Sequence, residues 1–307
     1  RVRPPLGGLR PADQRPVTAV AQRVQFGPAG NSDSFYAAGF SQTVQAFSWL
    51  KEAFGLGAFE IPFGRGISMS DTTAQAIGEA AAREGVRLSA HAPYYINLAN
   101  PSPAMAEKSV QYIVNTARLL SLMGGDRVVV HVGSPKDQSR ETAMALCGER
   151  LRMARSALVD QGHPQIRLCL ETMGRESVIG TLEEIMALTQ VDDSFLPCID
   201  FAHLHAAGGG TINDAADFQR VLDRIEEALG LDRARQMHMH FSRIEYGKKG
   251  EIRHRIFAEI EYGPEFSQLA PLLAQRGYHG IVICESRGTQ AEDAALMQQI
   301  YLSSLAG

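Results

Sequence analysis

A chain of 307 residues with 45% hydrophobic and 21% charged side chains holds enough apolar material for a sizeable core and too little charge to stay disordered. With 30 basic against 34 acidic residues the formal charge is −4, which excludes a bulk positive field for nucleic acid and leaves only local binding. No apolar run approaches the roughly 18 residues of a membrane span, and the N-terminus lacks the apolar core of a secretion signal, so a cytoplasmic chain without membrane partners is expected.

Residues 1–22 carry four Pro and four Arg without sustained periodicity, which predicts a flexible tail ahead of one catalytic domain over 23–307. From Arg23 onward, short apolar or β-branched runs alternate with amphipathic stretches, the pattern of repeated βα units. The predicted strands are RVQFG (23–27), AFEIP (58–62), RLSAH (87–91), RVVVH (127–131), RLCLE (167–171), PCID (197–200), HMHF (238–241) and IVICE (281–285). Between them, apolar residues at spacings of three and four predict helices such as 109–123 and 141–159. Helix starts are marked by Ser70, by Ser102-Pro103 and by Thr181 with Glu183 and Glu184; Gly85, Gly124 and Gly277 mark ends. Eight such units predict an α/β fold, a (β/α)8 TIM barrel. No GxGxxG or GxxxxGK[ST] run follows the first strand, so nothing supports a dinucleotide or P-loop site. Cys147, Cys169, Cys198 and Cys284 form no CxxC pair and read as buried free thiols.

The last six strands finish on His91, His131, Glu171, Asp200, His240 and Glu285, at intervals of 40, 40, 29, 40 and 45 residues, each about one βα unit. A closed barrel delivers all parallel strand ends to one rim, so these six side chains should converge on one mouth. A lone His or Glu at a strand end is usually a satisfied loop residue. Three carboxylates buried together without cations, however, would repel one another at several kcal/mol each, so the set points to divalent metal. Mixed imidazole and carboxylate donors suit Zn²⁺, with Mn²⁺ or Fe²⁺ as alternatives, rather than Mg²⁺ or Ca²⁺. His203, three residues past Asp200, and His254, in the loop after the seventh strand, suggest a further ion beside the first cluster. His238 shares the inward face with His240 and reads as core or as a support for the ligands.

HAPYYINLANPSP (91–103), HVGSP (131–135), LETMG (170–174) and CIDFAHLHAAG (198–208) resemble signature segments of the endonuclease IV family of apurinic/apyrimidinic endonucleases, a likeness running from about Arg23 to the C-terminus. The resemblance implies a TIM barrel with three zinc ions that cuts DNA 5′ to abasic sites. It implies that His91 and His131 hold one ion, which Glu171 bridges to a second. Asp200, His240 and Glu285 would complete that second site, with His203 and His254 on the third. Tyr94 matches an aromatic that the family inserts into the duplex.

One position departs from the family pattern: Ile252-Arg253-His254 stands where the family has Asp-Arg-His. Glu251 is adjacent, but neighbours in an extended segment point to opposite faces. Either the loop differs locally and Glu251 substitutes, or the third ion is weak or absent; the segment HFSRIEYGKKGEIRH marks a divergent branch.

The expected activity is therefore zinc-dependent phosphodiester hydrolysis on damaged duplex DNA by a monomer with two or three ions, in base excision repair, with Glu171 as the central catalytic ligand. Arg65, Lys136, Arg175, Arg243, Lys248 and Lys249 are candidate phosphate contacts, Arg65 first among them. Two other readings stay open. A sugar isomerase or epimerase would need one ion on Glu171, Asp200, His240 and Glu285, and a binding module without turnover follows if Ile252 disables the cluster. Two divalent ions would carry the formal charge from −4 to 0 and three to +2, concentrated at the mouth.

Overall fold

The alternation of inward and outward residues in the short β-branched runs produces eight parallel strands. In the computed structural model, which describes residues 23–64 and 66–305, these are β1 (Gln25–Pro28), β2 (Ala58–Pro62), β3 (Arg87–His91), β4 (Arg127–Val130), β5 (Arg167–Glu171), β6 (Leu196–Asp200), β7 (His238–Phe241) and, after a hairpin of β8 (Arg243–Gly247) and β9 (Gly250–Arg255), β10 (Ile281–Cys284). The expectations for the 1–22 tail and for Arg65 lie outside the described residues.

The strand order is β1-β10-β7-β6-β5-β4-β3-β2, with every pairing parallel. The two ends meet through a bridge between Ala29 and Glu60 and hydrogen bonds from Gly30 N to Glu60 O (3.0 Å) and from Gly57 N to Phe26 O (3.2 Å). That closure requires glycine at position 27, where a Cβ would fall 1.8 Å from the Ala58 carbonyl oxygen. The expected (β/α)8 TIM barrel is thus the fold.

Residues facing outward, such as Leu168, Leu170, Met239 and Phe241, pack in the main core beneath the helices. Below the rim the interior is filled by Val129, Cys169, Leu196 and Cys198 and by Ala58, Ile281 and Ile283, all but fully buried, so the barrel is plugged rather than open. All four cysteines are free and buried. Helix starts follow the capping signals: Ser70 accepts from Thr73 N, Pro103 opens the Pro103–Leu122 helix, and Thr181 and Glu184 form a capping box. No helix among the described residues is long and apolar enough to cross a membrane.

The segment after the seventh strand, expected as a loop, is an antiparallel hairpin paired within itself (β8 with β9) and joined to the following chain by the Ile244–Gly263 bridge. Its sequence carries the signal, alternating Ile244 and Tyr246 around the turn GKKG.

Candidate metal centre

The rim brings together every ligand-type residue expected there. Because β3 to β7 and β10 run parallel, His91, Glu171 and Asp200 end their strands, His131 and Glu285 follow theirs directly, and His240 points inward one residue before the end of β7. Asp200 also caps the Phe201–Ala207 helix: its Oδ1 accepts from His203 N (2.8 Å). The D-x-x-H spacing is therefore a capping geometry that sets the His203 ring against its own cap, with Nδ1 3.3 Å from Asp200 Oδ2.

Glu171 is the hub. Its Oε2 lies 3.2 Å from His91 Nε2 and 2.8 Å from His131 Nε2, while its Oε1 lies 3.2 Å from His240 Nδ1 and 3.5 Å from His203 Nδ1. Glu285 reaches His240 Nδ1 (3.4 Å) through one oxygen and His254 Nε2 (3.6 Å) through the other. Three sets of potential ligand atoms fall within 4.8 Å of one another: His91, His131, Glu171; Glu171, Asp200, His240, Glu285; and Asp200, His203, His254. Glu171 belongs to the first two sets and Asp200 to the last two. A fourth set, Cys198, His238 and His240, lies deeper in the barrel.

The hairpin bears on the alternative left open at residues 251–254, because its register sets which way Glu251 faces. Glu245 pairs with Arg253 but Tyr246 pairs with Glu251, so Ile252 is skipped as a β-bulge. The extra residue reverses the alternation, turning Glu251 onto the face of His254 and leaving Ile252 52% exposed. Glu251 Oε2 lies 3.3 Å from His203 Nε2 and has no hydrogen-bond partner among the described residues. The approach depends on the glycine of LETMG, since a Cβ on Gly174 would fall 2.5 Å from that oxygen.

Burial alone would depress the histidines, but the carboxylates outweigh it. Glu171, with Glu60 and Glu285, raises His91 to about 9; Asp200, Glu171 and Glu251 raise His203 to about 9; His240 rises well above its usual range. Burial would likewise raise Glu171, yet the surrounding imidazoles hold it well below the usual carboxylate range. Protons on imidazoles thus balance the buried carboxylates where cations could do the same. The buried Asp200 Oδ2 and Glu251 Oε2, neither hydrogen-bonded, are acceptors fit for such cations.

Glu60 joins the site from below the strand ends. It sits mid-strand in β2, 1% exposed, accepting from Ser89 Oγ (2.8 Å) and His238 Nε2 (3.0 Å) and lying 3.0 Å from His240 Nε2. A lone acid in an apolar strand was the available signal. His238 is lowered to about 4, chiefly by burial, and remains neutral beneath the rim.

The mouth is a cavity of about 590 Å³ reaching from Glu60 and the histidines to Tyr94, Arg175, Arg253 and Arg287. Tyr94 is 60% exposed, its ring 5.4 Å from that of His91 and 5.6 Å from that of His131. Arg175, Glu251 and Ile252 also line an adjoining cavity of about 810 Å³ with Lys248 and Lys249. Lys136 is exposed. Arg243, expected as a rim cation, is buried instead: it bonds the Phe257 and Tyr262 carbonyls and pairs with Glu265 at 2.6 Å, fastening the 257–265 segment.

Fold and site together define a TIM barrel built around clustered histidine and carboxylate metal-ligand candidates at the strand ends. The chain belongs to the xylose isomerase-like TIM barrel family, whose model matches residues 47–301. It is 33% identical over 249 residues to an uncharacterized protein of Methanocaldococcus jannaschii, covering 80% of this chain and 87% of that one. A probable endonuclease 4 of Acholeplasma laidlawii is 32% identical over 179 residues, 56% of this chain and 58% of the relative, which bears out the kinship expected from the motifs. Among solved structures, a D-tagatose 3-epimerase-like protein superposes with a TM-score of 0.69 at 18% identity (92% of this chain, 98% of the other). Endonuclease IV from Thermus thermophilus superposes with a TM-score of 0.61 at 22% identity (92% and 99%). Those two likenesses establish the fold; the family makes the chain an enzyme of the xylose isomerase-like class.

Proposed function

We propose that this enzyme hydrolyses the DNA phosphodiester 5′ to abasic sites, acting as a monomer on damaged duplex DNA in the cytoplasm. The observation that carries the reading is the continuity of the three ligand sets through Glu171 and Asp200. A one-ion sugar epimerase needs only the middle set. His91, His131, His203 and His254 are then surplus, whereas a polynuclear site uses them all.

Under this reading His91, His131 and Glu171 would hold one zinc, Glu171, Asp200, His240 and Glu285 a second, and Asp200, His203, His254 and Glu251 a third; manganese or iron would also suit these donors. When bound, such ions acidify water and draw charge from a phosphate in attack and departure. The chain supplies the rest. Histidines complete the shells without adding negative charge that would repel the phosphate, and Glu171 ties two of the sets into one unit. Tyr94, exposed above His91 and His131, offers a stacking face where a base is missing, and an abasic nucleotide is cheap to turn out. Arg175, Lys248 and Lys249 line the adjoining groove as phosphate contacts.

The middle set is by itself a complete one-ion arrangement, which favours sugar epimerisation as the second reading. Metal analysis of protein purified without chelator, paired with a duplex oligonucleotide bearing one abasic site, decides between them. Two or three ions per chain and a nick 5′ to the site are expected. One ion, no nick, and unchanged metal content in His91→Ala would overturn the nuclease in favour of the epimerase.

A further inference from the structure

Four of the clustered imidazoles have one ring nitrogen against an oxygen of the scaffold; in His91, His240 and His254 the other nitrogen alone faces the rim carboxylates, while in His203 Nδ1 also lies 3.3 Å from Asp200 Oδ2 and Nε2 faces Glu251. His91 Nδ1 donates to the Ala92 carbonyl (2.8 Å) and His203 Nδ1 to the Thr172 carbonyl (2.9 Å). Ser242 Oγ spends its own proton on the Arg243 carbonyl (2.8 Å), so it accepts from His254 Nδ1 (2.7 Å). These three oxygens are neutral. The fourth is not: His240 Nε2 stands 3.0 Å from Glu60 Oε1. The two atoms are buried and close without forming a hydrogen bond, and no other described residue hydrogen-bonds either one, although Cys198 packs within 4.8 Å of His240. Glu60 Oε2 is already occupied by Ser89 Oγ (2.8 Å) and His238 Nε2 (3.0 Å), which fix the carboxylate in place.

We infer that Glu60 is a positioning residue for His240. Its Oε1 takes the Nε2 proton, so that Nδ1 is the ring atom left facing Glu171 (3.2 Å) and Glu285 (3.4 Å). There Nδ1 meets Glu171 through a shared proton in the metal-free chain and would meet a cation in its place, and Glu60, as an anion behind the ring, raises its donor strength. Glu60 belongs to none of the clustered ligand sets and acts only through His240. The inference rests on the metal reading of the rim.

The test is zinc competition with a chromophoric chelator on wild type, Glu60→Gln and Ser89→Ala, with ¹⁵N NMR of the histidines in the zinc-loaded chains. Glu60→Gln should weaken the ion contacted by His240 by about 10- to 100-fold and change the His240 ring pattern, leaving His91 as it was. Ser89→Ala leaves Oε1 in place and should change affinity far less. Wild-type affinity and an unchanged His240 pattern in Glu60→Gln would overturn the inference, as would equal weakening of every ion in both variants alongside lowered apo-protein stability. Should Glu60→Gln fail to fold, the wild-type spectrum decides: zinc on Nδ1 with Nε2 protonated supports the assignment, and zinc on Nε2 refutes it. If wild type binds no zinc at all, the metal reading itself falls, an outcome visible before any variant is made.

Discussion

The bulge at Ile252 makes a prediction that separates position from composition. Glu251 Oε2 lies 3.3 Å from His203 Nε2, and at an effective dielectric constant of about 20 two unit charges at that separation attract by roughly 5 kcal/mol. Desolvation returns most of this, and a hydrogen bond to a charged group nets about 1.5–3 kcal/mol. The same carboxylate oxygen would face a divalent ion held by His203, so Glu251→Gln should weaken zinc at the Asp200–His203–His254 corner by roughly 10- to 150-fold, the worth of about 1.5–3 kcal/mol for one charged contact. Ile252→Asp recreates the Asp-Arg-His string of the endonuclease IV resemblance but places the new carboxylate on the skipped residue, off the face shared by Glu251 and His254, so it should gain nothing and should not rescue Glu251→Gln. Deleting Ile252 removes the skipped residue and sets Glu251 two positions from His254 on one face of a regular strand, so it should retain the ion. Stepwise zinc titration by calorimetry, with circular dichroism to confirm folding, reads all four chains. Rescue of Glu251→Gln by Ile252→Asp, or loss of the ion on deleting Ile252, would show that the bulge does not aim Glu251.

Two further outcomes follow from the site. His91 and His203 stand near 9 in the folded chain against 6.5 unfolded, so their contribution to stability is complete below pH 6.5 and lost as pH rises through 9. Metal-free protein should thus lose about 1.4 kcal/mol per pH unit for each across that window, while zinc-loaded protein, whose ligands bind without their protons, should hold or gain; denaturant melts with and without chelator at pH 6.5 and 9 check this, and parallel slopes would contradict it. Tyr94→Ala should leave zinc content unchanged but weaken binding to an abasic duplex by roughly 5- to 150-fold, the worth of one stacking contact, as read by fluorescence anisotropy; unaltered binding would remove Tyr94 from the DNA surface.

The barrel was legible because its strands are bounded by turn residues and repeat at near-constant intervals, and because charged residues at apolar strand ends have few structural explanations. Six rim residues could be placed without any knowledge of helix packing. What stayed hidden depends on pairings that sequence does not print. The bulge exists only relative to β8, so the sense of Glu251 against His254 could not be derived from their spacing alone. Glu60 and His238 are 178 positions apart and meet only because β2 and β7 face each other across the barrel. Arg243 resembled a rim cation because its partners, the Phe257 and Tyr262 carbonyls and Glu265, come from a later irregular segment.

The division between barrel and hairpin bears on how each donor is held. The candidate ligands of the first two sets are fixed by strands whose pairing is the fold itself, so altering their register would dismantle the sheet. Glu251 and His254 ride on a two-stranded ribbon outside the barrel sheet, tied to the chain just past β5 by the bond from Glu251 N to the Gly174 carbonyl (2.8 Å). A residue gained or lost between Tyr246 and Arg253 redirects one donor without changing any pairing in the barrel sheet. The sense of Glu251 is thus set by a register that can shift while every barrel strand keeps its partner.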